Sequence, residues 1–376
     1  MGFFDFSYGP GVDSNNNRAT AAKPESKLWY HDGFWWATLY SPTAHGHRIH
    51  QLSASRQTWI DTGVLVDERR GSRQDVLADG DRLYVVSRFA GAPAQNRFIR
   101  FGYDDGTHVY VPDTGYPVNI PGGGTESMSV AKDSTGRLWI AYTLASQVYV
   151  GCTSGTDAEW SAPFVVPGSA GDALAADDIA TVQALRDGTL GVFWSNQVTE
   201  TDYFAVHLDE AGPADPEAWH VEIAAQGNRV ADDHFNLKVT SDNRLLAAIK
   251  TSRTAPSATL IGVLERSPQG HWSPLRTVAT VQYTPTRPAL LLDEDARRVY
   301  VFYSDNTSGI YFKTSSLDAI AFPAGRGTPF IQSAEAPDLN NPTTTKQNVS
   351  AMTGLVVEAS SPGQSVYWHN ALGVIP

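Results

Sequence analysis

The sequence predicts an all-β protein, a seven-bladed β-propeller with four antiparallel strands in each blade. The first observation behind this is composition: 41% of the 376 residues are hydrophobic and 11% aromatic, beside 32 Gly and 22 Pro, which is typical of short strands joined by turns. The second is a repeat of about 53 residues, in which a polar residue runs into a short apolar strand. The repeats open near residues 27, 75, 126, 178, 234, 287 and 347.

Each repeat supplies further strands after its opening. Turns, many of the Asp-Gly type, lead into second strands at 34–40, 82–88, 137–143, 189–195, 244–250, 298–304 and 354–359. Third strands are predicted at 48–52, 98–103, 147–151, 203–208, 259–265, 309–314 and 365–369. Four repeats then reach a Trp just before a fourth strand, at Trp59, Trp160, Trp219 and Trp272.

The last repeat stops after its third strand. We therefore expect residues 3–8 at the N-terminus to supply its outer strand and close the ring, with a frayed N-terminus as the alternative. Residues 1–376 would then form a single propeller domain.

Charge and hydropathy exclude two classes of partner. Lys and Arg number 28 against 40 Asp and Glu, a net charge of −12, so nucleic acid, which is bound through Lys and Arg, is not expected as a partner. The sequence contains no run of 18 apolar residues, so membrane insertion is not expected. Cys152 is the sole cysteine, so no disulfide forms within the chain. We expect a monomer.

Two turns carry a family resemblance. Residues Ser53 to Trp59 and Ser267 to Trp272 resemble the Asp-box, the Ser-x-Asp-x-Gly-x-Thr-Trp turn of sialidase-like propeller blades. The whole chain resembles secreted bacterial propellers of the sialidase-like and BNR-repeat type, which include glycoside hydrolases and polysaccharide lyases. The resemblance implies a glycan substrate and a secreted or cell-surface protein whose signal peptide is absent from this sequence, with a cytoplasmic location as the alternative.

Sialidases bind the substrate carboxylate with three Arg side chains. The repeat openings offer Arg73 and Arg287, with Arg18 as the third. We do not extend the resemblance to sialic acid specificity.

In a propeller the first strands line the central channel, and their starts meet on one side of the disc. We call these starts the blade openings and that side the opening face. The openings predict a ring of ionisable and polar groups there: Lys27, Arg73, Asp75, Glu126, Asp177, Asp178, Asp232, Asp233, His234, Arg287, Lys346, Gln347 and Asn348. For any single member, capping a neighbouring blade or holding channel water is the alternative.

Glycosidic cleavage usually requires two carboxyl groups. The cationic side chains of Lys and Arg can bind an anionic sugar. The predicted catalytic residues are Asp75, Glu126, Asp178, Asp233, His234 and Arg287. The predicted substrate-binding residues are Lys27, Arg73, Asp177, Asp232, Trp194, Asn196, Lys250, Lys346, Gln347 and Asn348. Trp194 would stack on a sugar ring or, alternatively, pack between blades.

The leading functional hypothesis is a sialidase-like glycoside hydrolase that cleaves a terminal, anionic sugar from an extracellular glycan. A β-propeller polysaccharide lyase is the first alternative: Arg287 or Lys346 would neutralise a uronate and His234 would take its α-proton. A non-catalytic propeller that binds glycan or protein is the second. No cofactor is required, although Glu126, Asp178 and Asp233 are hard oxygen ligands that suit calcium.

Overall fold

The computed structural model describes residues 1–10, 12, 19–20, 23–91, 93–169, 173–305 and 309–373. Its strands form seven antiparallel sheets of four or five strands, which confirms the predicted all-β propeller. Helical structure in these ranges consists of two single 3₁₀ turns, Pro216–Ala218 and Val281–Tyr283. No helix in the described ranges is long and apolar enough to cross a membrane. Arg18 lies outside the described residues.

The first strand of the chain is β1 (Phe3–Ser7). Blade 1 contains β2 (Leu28–His31), β3 (Phe34–Ser41), β4 (Gly46–Ser53) and β5 (Thr58–Asp67). Blade 2 contains β6 (Arg73–Asp79), β7 (Arg82–Arg88), β8 (Asn96–Asp104), β9 (Val109–Pro112) and β10 (Val118–Ile120). Blade 3 contains β11 (Ser129–Lys132), β12 (Leu138–Leu144), β13 (Gln147–Ser154), β14 (Thr156–Trp160) and β15 (Phe164–Val165).

The second half of the chain repeats the pattern. Blade 4 contains β16 (Ala180–Ala184), β17 (Thr189–Asn196), β18 (Thr201–Leu208) and β19 (Trp219–Gln226). Blade 5 contains β20 (Phe235–Val239), β21 (Leu245–Lys250), β22 (Thr259–Arg266) and β23 (Arg276–Thr280). Blade 6 contains β24 (Pro285–Asp293), β25 (Arg298–Asp305), β26 (Gly309–Ser316) and β27 (Thr328–Ile331). Blade 7 contains β28 (Asn340–Thr343), β29 (Leu355–Ser361) and β30 (Val366–Leu372).

The N-terminal strand closes the ring, as the sequence predicts. β1 pairs antiparallel with β30, with Phe3 opposite His369 and Phe4 opposite Trp368, and so becomes the outer strand of blade 7. Pairing the two ends of the chain in one sheet leaves no gap between the first and last blades, so the edge of blade 7 is covered.

Most of the core lies between neighbouring blades. In β3, Trp35 packs into the cluster shared with blade 7, whereas the next residue, Trp36, packs into the cluster shared with blade 2. Successive residues of a strand point to opposite faces of the sheet, and both faces of a blade are covered by its neighbours. The adjacent residues Trp35 and Trp36 are therefore both buried, and the same arrangement explains the aromatic content of the strands.

Residues 344–348 follow the first strand of blade 7 and contact three other blades, and we call them the channel plug. The predicted opening of blade 7 lay at residue 347, but its first strand begins at Asn340, and the plug follows that strand inward. Lys346 Nζ lies 2.5 Å from Asp75 Oδ2 of blade 2 and 2.5 Å from the Val130 carbonyl of blade 3. Asn348 Nδ2 donates to the Val239 carbonyl of blade 5 at 3.0 Å. The plug thus connects blades across the axis.

Tyr8 tests the closure. Its buried ring packs 4.7 Å from that of Tyr367, and its hydroxyl donates to the Ser361 carbonyl at 3.1 Å. We expect Tyr8→Ala to lower the free energy of unfolding by about 3–5 kcal/mol, because a large buried side chain is lost. The control is Met352→Ala, at a side chain that is 83% exposed. Denaturant unfolding measures both, and equal effects would contradict a structural role for the closure.

Candidate functional site

The chain crosses the opening face between β1 and β2. We call the described residues there, 19–20 and 23–27, the crossing segment. Thr20 Oγ1 donates to the Asn341 carbonyl at 2.6 Å, and the Ser26 amide donates to Asp75 Oδ1 at 2.7 Å. These contacts tie the segment to blades 7 and 2, so it lies among the blade openings.

Lys23 of the crossing segment lies among the predicted acids. Its side chain is 1% exposed, and its Nζ is hydrogen bonded to Asp233 Oδ2 and lies 3.4 Å from Glu126 Oε1. The ammonium group therefore bridges the openings of blades 3 and 5. Glu126, Asp178 and Asp233 do not form a shared group of metal-ligand atoms within the described residues, and Lys23 supplies the positive charge that calcium would bring.

The opening of blade 5 is a compact ion-pair network. His234 Nδ1 lies 2.5 Å from Asp233 Oδ1 and 3.2 Å from Asp232 Oδ1, while Lys250 Nζ lies 2.6 Å from Asp232 Oδ2. Burial alone would raise the pKa of Asp233, but the hydrogen bond and charge of His234 and the charge of Lys23 hold it below its usual range. Asp233 is therefore an ionised carboxylate that orients the imidazole.

Two other predicted acids are fully buried and saturated with hydrogen bonds. Asp178 accepts from Ser195 Oγ at 2.8 Å, the Ala175 amide at 2.8 Å and the Gln197 amide at 3.1 Å. Asp75 accepts from backbone amides of two neighbouring blades and from Lys346. Burial raises the pKa of both carboxyls. These contacts match the capping role that was the alternative for each opening residue.

A further buried acid was not among the predicted site residues. Asp202 of β18 is fully buried, and its Oδ2 has no hydrogen-bond partner among the described residues. Burial raises its pKa well above the usual range, and the nearby charges of Asp232 and Asp178 add to the shift. The sequence signal was weak, because Asp202 lies in a third strand where no opening pattern marks it.

The predicted bases are mostly enclosed. Lys27 is fully buried and donates to Gln74 Oε1 at 3.0 Å. Burial is the main cause that lowers the pKa of Lys27 to about 7, and the charge of Arg73 is the second. Arg73 donates to the Val12 carbonyl at 3.0 Å. Arg287 is half-buried, with a left-handed backbone at φ +55°, on β24 where that strand's register with β25 shifts.

The remaining predicted binding residues are buried or partly buried. Trp194 is fully buried and stacks on Tyr203 at a centroid distance of 5.2 Å, so packing between blades, the alternative, is what the structure shows. Asn196 is also buried and accepts from the Thr199 amide at 3.0 Å. Lys346, Gln347 and Asn348 belong to the channel plug. Trp194 and Asn196 therefore offer no surface to a sugar, whereas the side chains of the three plug residues are partly exposed.

A cavity of about 660 Å³ opens on this face beside blade 3. Loops and openings of blades 2, 3 and 4 line it, with Arg88, Glu126 and Asp177 as its ionisable groups. Arg88 Nη1 donates to the Thr125 carbonyl at 3.3 Å, and Gln197 Nε2 donates to Asp177 Oδ1 at 3.0 Å. Of the predicted site residues, Glu126 and Asp177 line this cavity.

A second cavity, of about 450 Å³, lies between blades 7 and 1 on the opposite face. Its lining includes Phe34, Ile60 and Met352 and contains no Asp, Glu, Lys, Arg or His. The cavity beside blade 3 is therefore the better candidate for acid-base chemistry.

No family model matches this chain, and no curated protein matches it. Among solved structures, the GH62 α-L-arabinofuranosidase catalytic domain of Coprinopsis cinerea is 12% identical, with a TM-score of 0.46, over 79% of this chain and 89% of that one. AofleA from Arthrobotrys oligospora, solved as a mutant, is 10% identical, with a TM-score of 0.47, over 80% and 86%.

A third solved structure, the exo-β-1,3-galactanase of Phanerochaete chrysosporium, is 10% identical, with a TM-score of 0.43, over 82% of this chain and 68% of that one. These similarities concern the fold alone.

Lys23 can be tested by truncation. We expect Lys23→Ala to lower the free energy of unfolding by about 3–5 kcal/mol, because it leaves the ionised Asp233 without its ammonium partner. Lys132→Ala is the matched control, since Lys132 pairs with the half-exposed Asp79 at 2.7 Å and such pairs contribute about 0–1 kcal/mol. Denaturant unfolding distinguishes the two, and a small loss in both variants would contradict the assignment.

Lys27 gives a pH dependence. Its pKa is about 7 in the folded protein and 10.5 as the unperturbed value, so between these values the unfolded chain binds more protons and stability rises with pH. The stabilisation that neutral Lys27 provides is complete above about pH 10.5 and is lost progressively as the pH falls from there to about 7. We expect the free energy of unfolding of the wild type, relative to Lys27→Met, to increase between about pH 7 and pH 9.5. A difference that stays constant with pH would count against the buried lysine.

Proposed function

We propose that this protein is a glycan-processing enzyme, a glycoside hydrolase that cleaves a terminal, anionic sugar from an extracellular glycan. The observation that carries the proposal is the cavity beside blade 3, where two carboxylates, Glu126 and Asp177, and one guanidinium, Arg88, line a single space. Its volume of about 660 Å³ falls in the range of small-ligand sites.

Cleavage of a glycosidic bond needs one carboxylic acid to protonate the leaving oxygen and one carboxylate to act as nucleophile or base. Lys23 lies 3.4 Å from Glu126 Oε1 and stabilises negative charge there, so Glu126 is assigned the nucleophile or base role. Asp177 accepts from Gln197 Nε2 at 3.0 Å but forms no ion pair among the described residues, so it is assigned the acid role. Both residues line the same cavity.

Arg88 is assigned to the anionic group of the sugar. A guanidinium presents paired donors that match a carboxylate or sulfate in a fixed geometry. The Arg88 guanidinium is held at the cavity by Glu25, whose Oε1 lies 3.8 Å from Arg88 Nε, and by the Thr125 carbonyl, which accepts from Nη1 at 3.3 Å. A sugar that carries its charge next to the scissile bond would contact Arg88, Glu126 and Asp177 together.

A polysaccharide lyase is the second candidate, and the Asp233–His234 contact favours it. Asp233 holds His234 Nδ1 at 2.5 Å, and His234 Nε2 has no hydrogen-bond partner in the described ranges. In a lyase this nitrogen would take the proton α to the uronate carboxylate, the electron pair would form a C=C bond, and the glycosidic oxygen would leave with a proton. The hydrolase is preferred because His234 is buried, whereas Asp177 is exposed.

The test is turnover of a glycan library, read by mass spectrometry. Because positioned acid-base groups contribute about 10²–10⁴-fold to rate, we expect Glu126→Gln and Asp177→Asn each to lower kcat by that factor. Asp318→Asn is the control, since Asp318 forms an exposed ion pair with Arg297 away from the cavity. Wild-type turnover in both Glu126→Gln and Asp177→Asn would contradict the site.

The same assay separates the alternatives. A hydrolase gives products that have gained one water molecule, whereas a lyase gives an unsaturated sugar that absorbs in the ultraviolet. If the protein is a lyase, His234→Ala should abolish its activity. A protein that binds glycans without changing their mass would be the binding propeller.

A further inference from the structure

A second polar cluster lies far from the cavity, where the ring closes. Asp5 of β1, Glu358 of β29 and His369 of β30 place one ligand atom each within 4.8 Å of one another. We call these three residues the closure triad. The side chains of Asp5 and His369 have no solvent exposure, and Glu358 is fully buried. Two carboxyl groups and an imidazole are therefore enclosed between blade 7 and blade 1.

The triad lacks a positive partner that would explain this burial. Asp5 Oδ2 and Glu358 Oε1 are buried oxygens without a hydrogen-bond partner in the described part of the chain. Within that part, no Lys or Arg forms an ion pair with either carboxyl; Asp5 contacts His369 Nδ1 at 2.7 Å and also the carboxyl group of Glu358. Buried carboxylates are costly unless a counter-charge accompanies them, so these oxygens are suited to holding a cation.

The surrounding contacts orient the triad as a metal site would require. His369 Nδ1 faces Asp5, while Nε2 lies 3.4 Å from Gln57 Oε1. Trp59 Nε1 donates to Glu358 Oε2 at 2.8 Å, which leaves Oε1 directed to the triad. In metal sites the second ring nitrogen of a histidine ligand typically donates to an oxygen, and carboxylate ligands are hydrogen bonded as well. Gln57 and Trp59 supply these contacts from blade 1.

We propose that the closure triad is a site for a divalent metal ion of the zinc class. Two carboxylate oxygens and one imidazole nitrogen are ligands that Zn²⁺ accepts, and two carboxylates with a neutral imidazole balance its charge. Ligand atoms in a tetrahedral zinc site are about 3.3 Å apart, given bonds of about 2.0–2.1 Å. Asp5 and His369 would thus separate by roughly half an ångström from their 2.7 Å contact on binding.

The two other three-ligand groups in the described ranges suit a metal less well. Asp232, Asp233 and His234 already contact the ammonium groups of Lys23 and Lys250. The second group, His31, Asp81 and Asp105, is on the surface, with the Asp81 side chain 70% exposed. Exposed carboxylates are stabilised by water and need no cation. The closure triad is also the one that joins both ends of the chain.

The experiment measures metal content in the full-length protein. Purified protein is equilibrated with Zn²⁺ and dialysed against metal-free buffer, and its zinc content is measured by inductively coupled plasma mass spectrometry. We expect the wild type and His31→Asn, which disables the surface group, to retain one zinc per chain. Glu358→Gln should retain none. Co²⁺ in place of Zn²⁺ should give a visible absorption band in the first two proteins and not in the third.

Thermal unfolding gives a second readout that does not depend on a variant folding. A chelator should lower the melting temperature of the wild type by several degrees, because metal that binds only the folded state stabilises it. It should leave Glu358→Gln unchanged; if that variant does not fold, Asp5→Asn replaces it. The proposal would be overturned if the wild type held no zinc, or if His31→Asn lost zinc while Glu358→Gln kept it. A wild-type melting temperature that does not change with the chelator would also overturn it.

Discussion

The structure depends on one constraint: a ring of seven sheets must join its last blade to its first. The chain meets it by giving its first strand, β1, to the outer edge of blade 7, where pairing with β30 satisfies an edge that would otherwise be open. β1 then ends at Ser7 and blade 1 begins at Leu28, so the chain must cross the opening face between them. The crossing segment and its buried Lys23 follow from this closure.

The crossing explains how a chain of net charge −12 places so many acids around one axis. Lys23 from the crossing segment and Lys346 from the channel plug enter the ring and pair with Asp233 and Asp75. Buried carboxylates that find a cation or several amides remain compatible with folding. The ring is thereby divided into buried acids that connect blades and accessible acids beside blade 3, where the cavity lies off the axis.

The repeat could be predicted because every blade carries the same alternation of polar openings, turns and apolar strands. Blade 7 was misplaced because its first strand, Asn340–Thr343, has the sequence NNPT and lacks the apolar pattern. The sequence could not predict which acids are buried. Asp177 and Asp178 are adjacent and of the same type, yet the first is exposed and the second is buried. Lys23 was missed because it lies in a connection that belongs to no strand.

Closure and the proposed site are built by the same few residues. Lys23 contacts Glu126, and Glu25, two residues later, lies 3.8 Å from Arg88, so two of the three ionisable groups in the cavity are held by the crossing segment. The segment is in turn fixed at the Ser26 amide by Asp75, a residue deep in the ring. These contacts set the positions of the Arg88 guanidinium and the Glu126 carboxylate at the wall of the cavity.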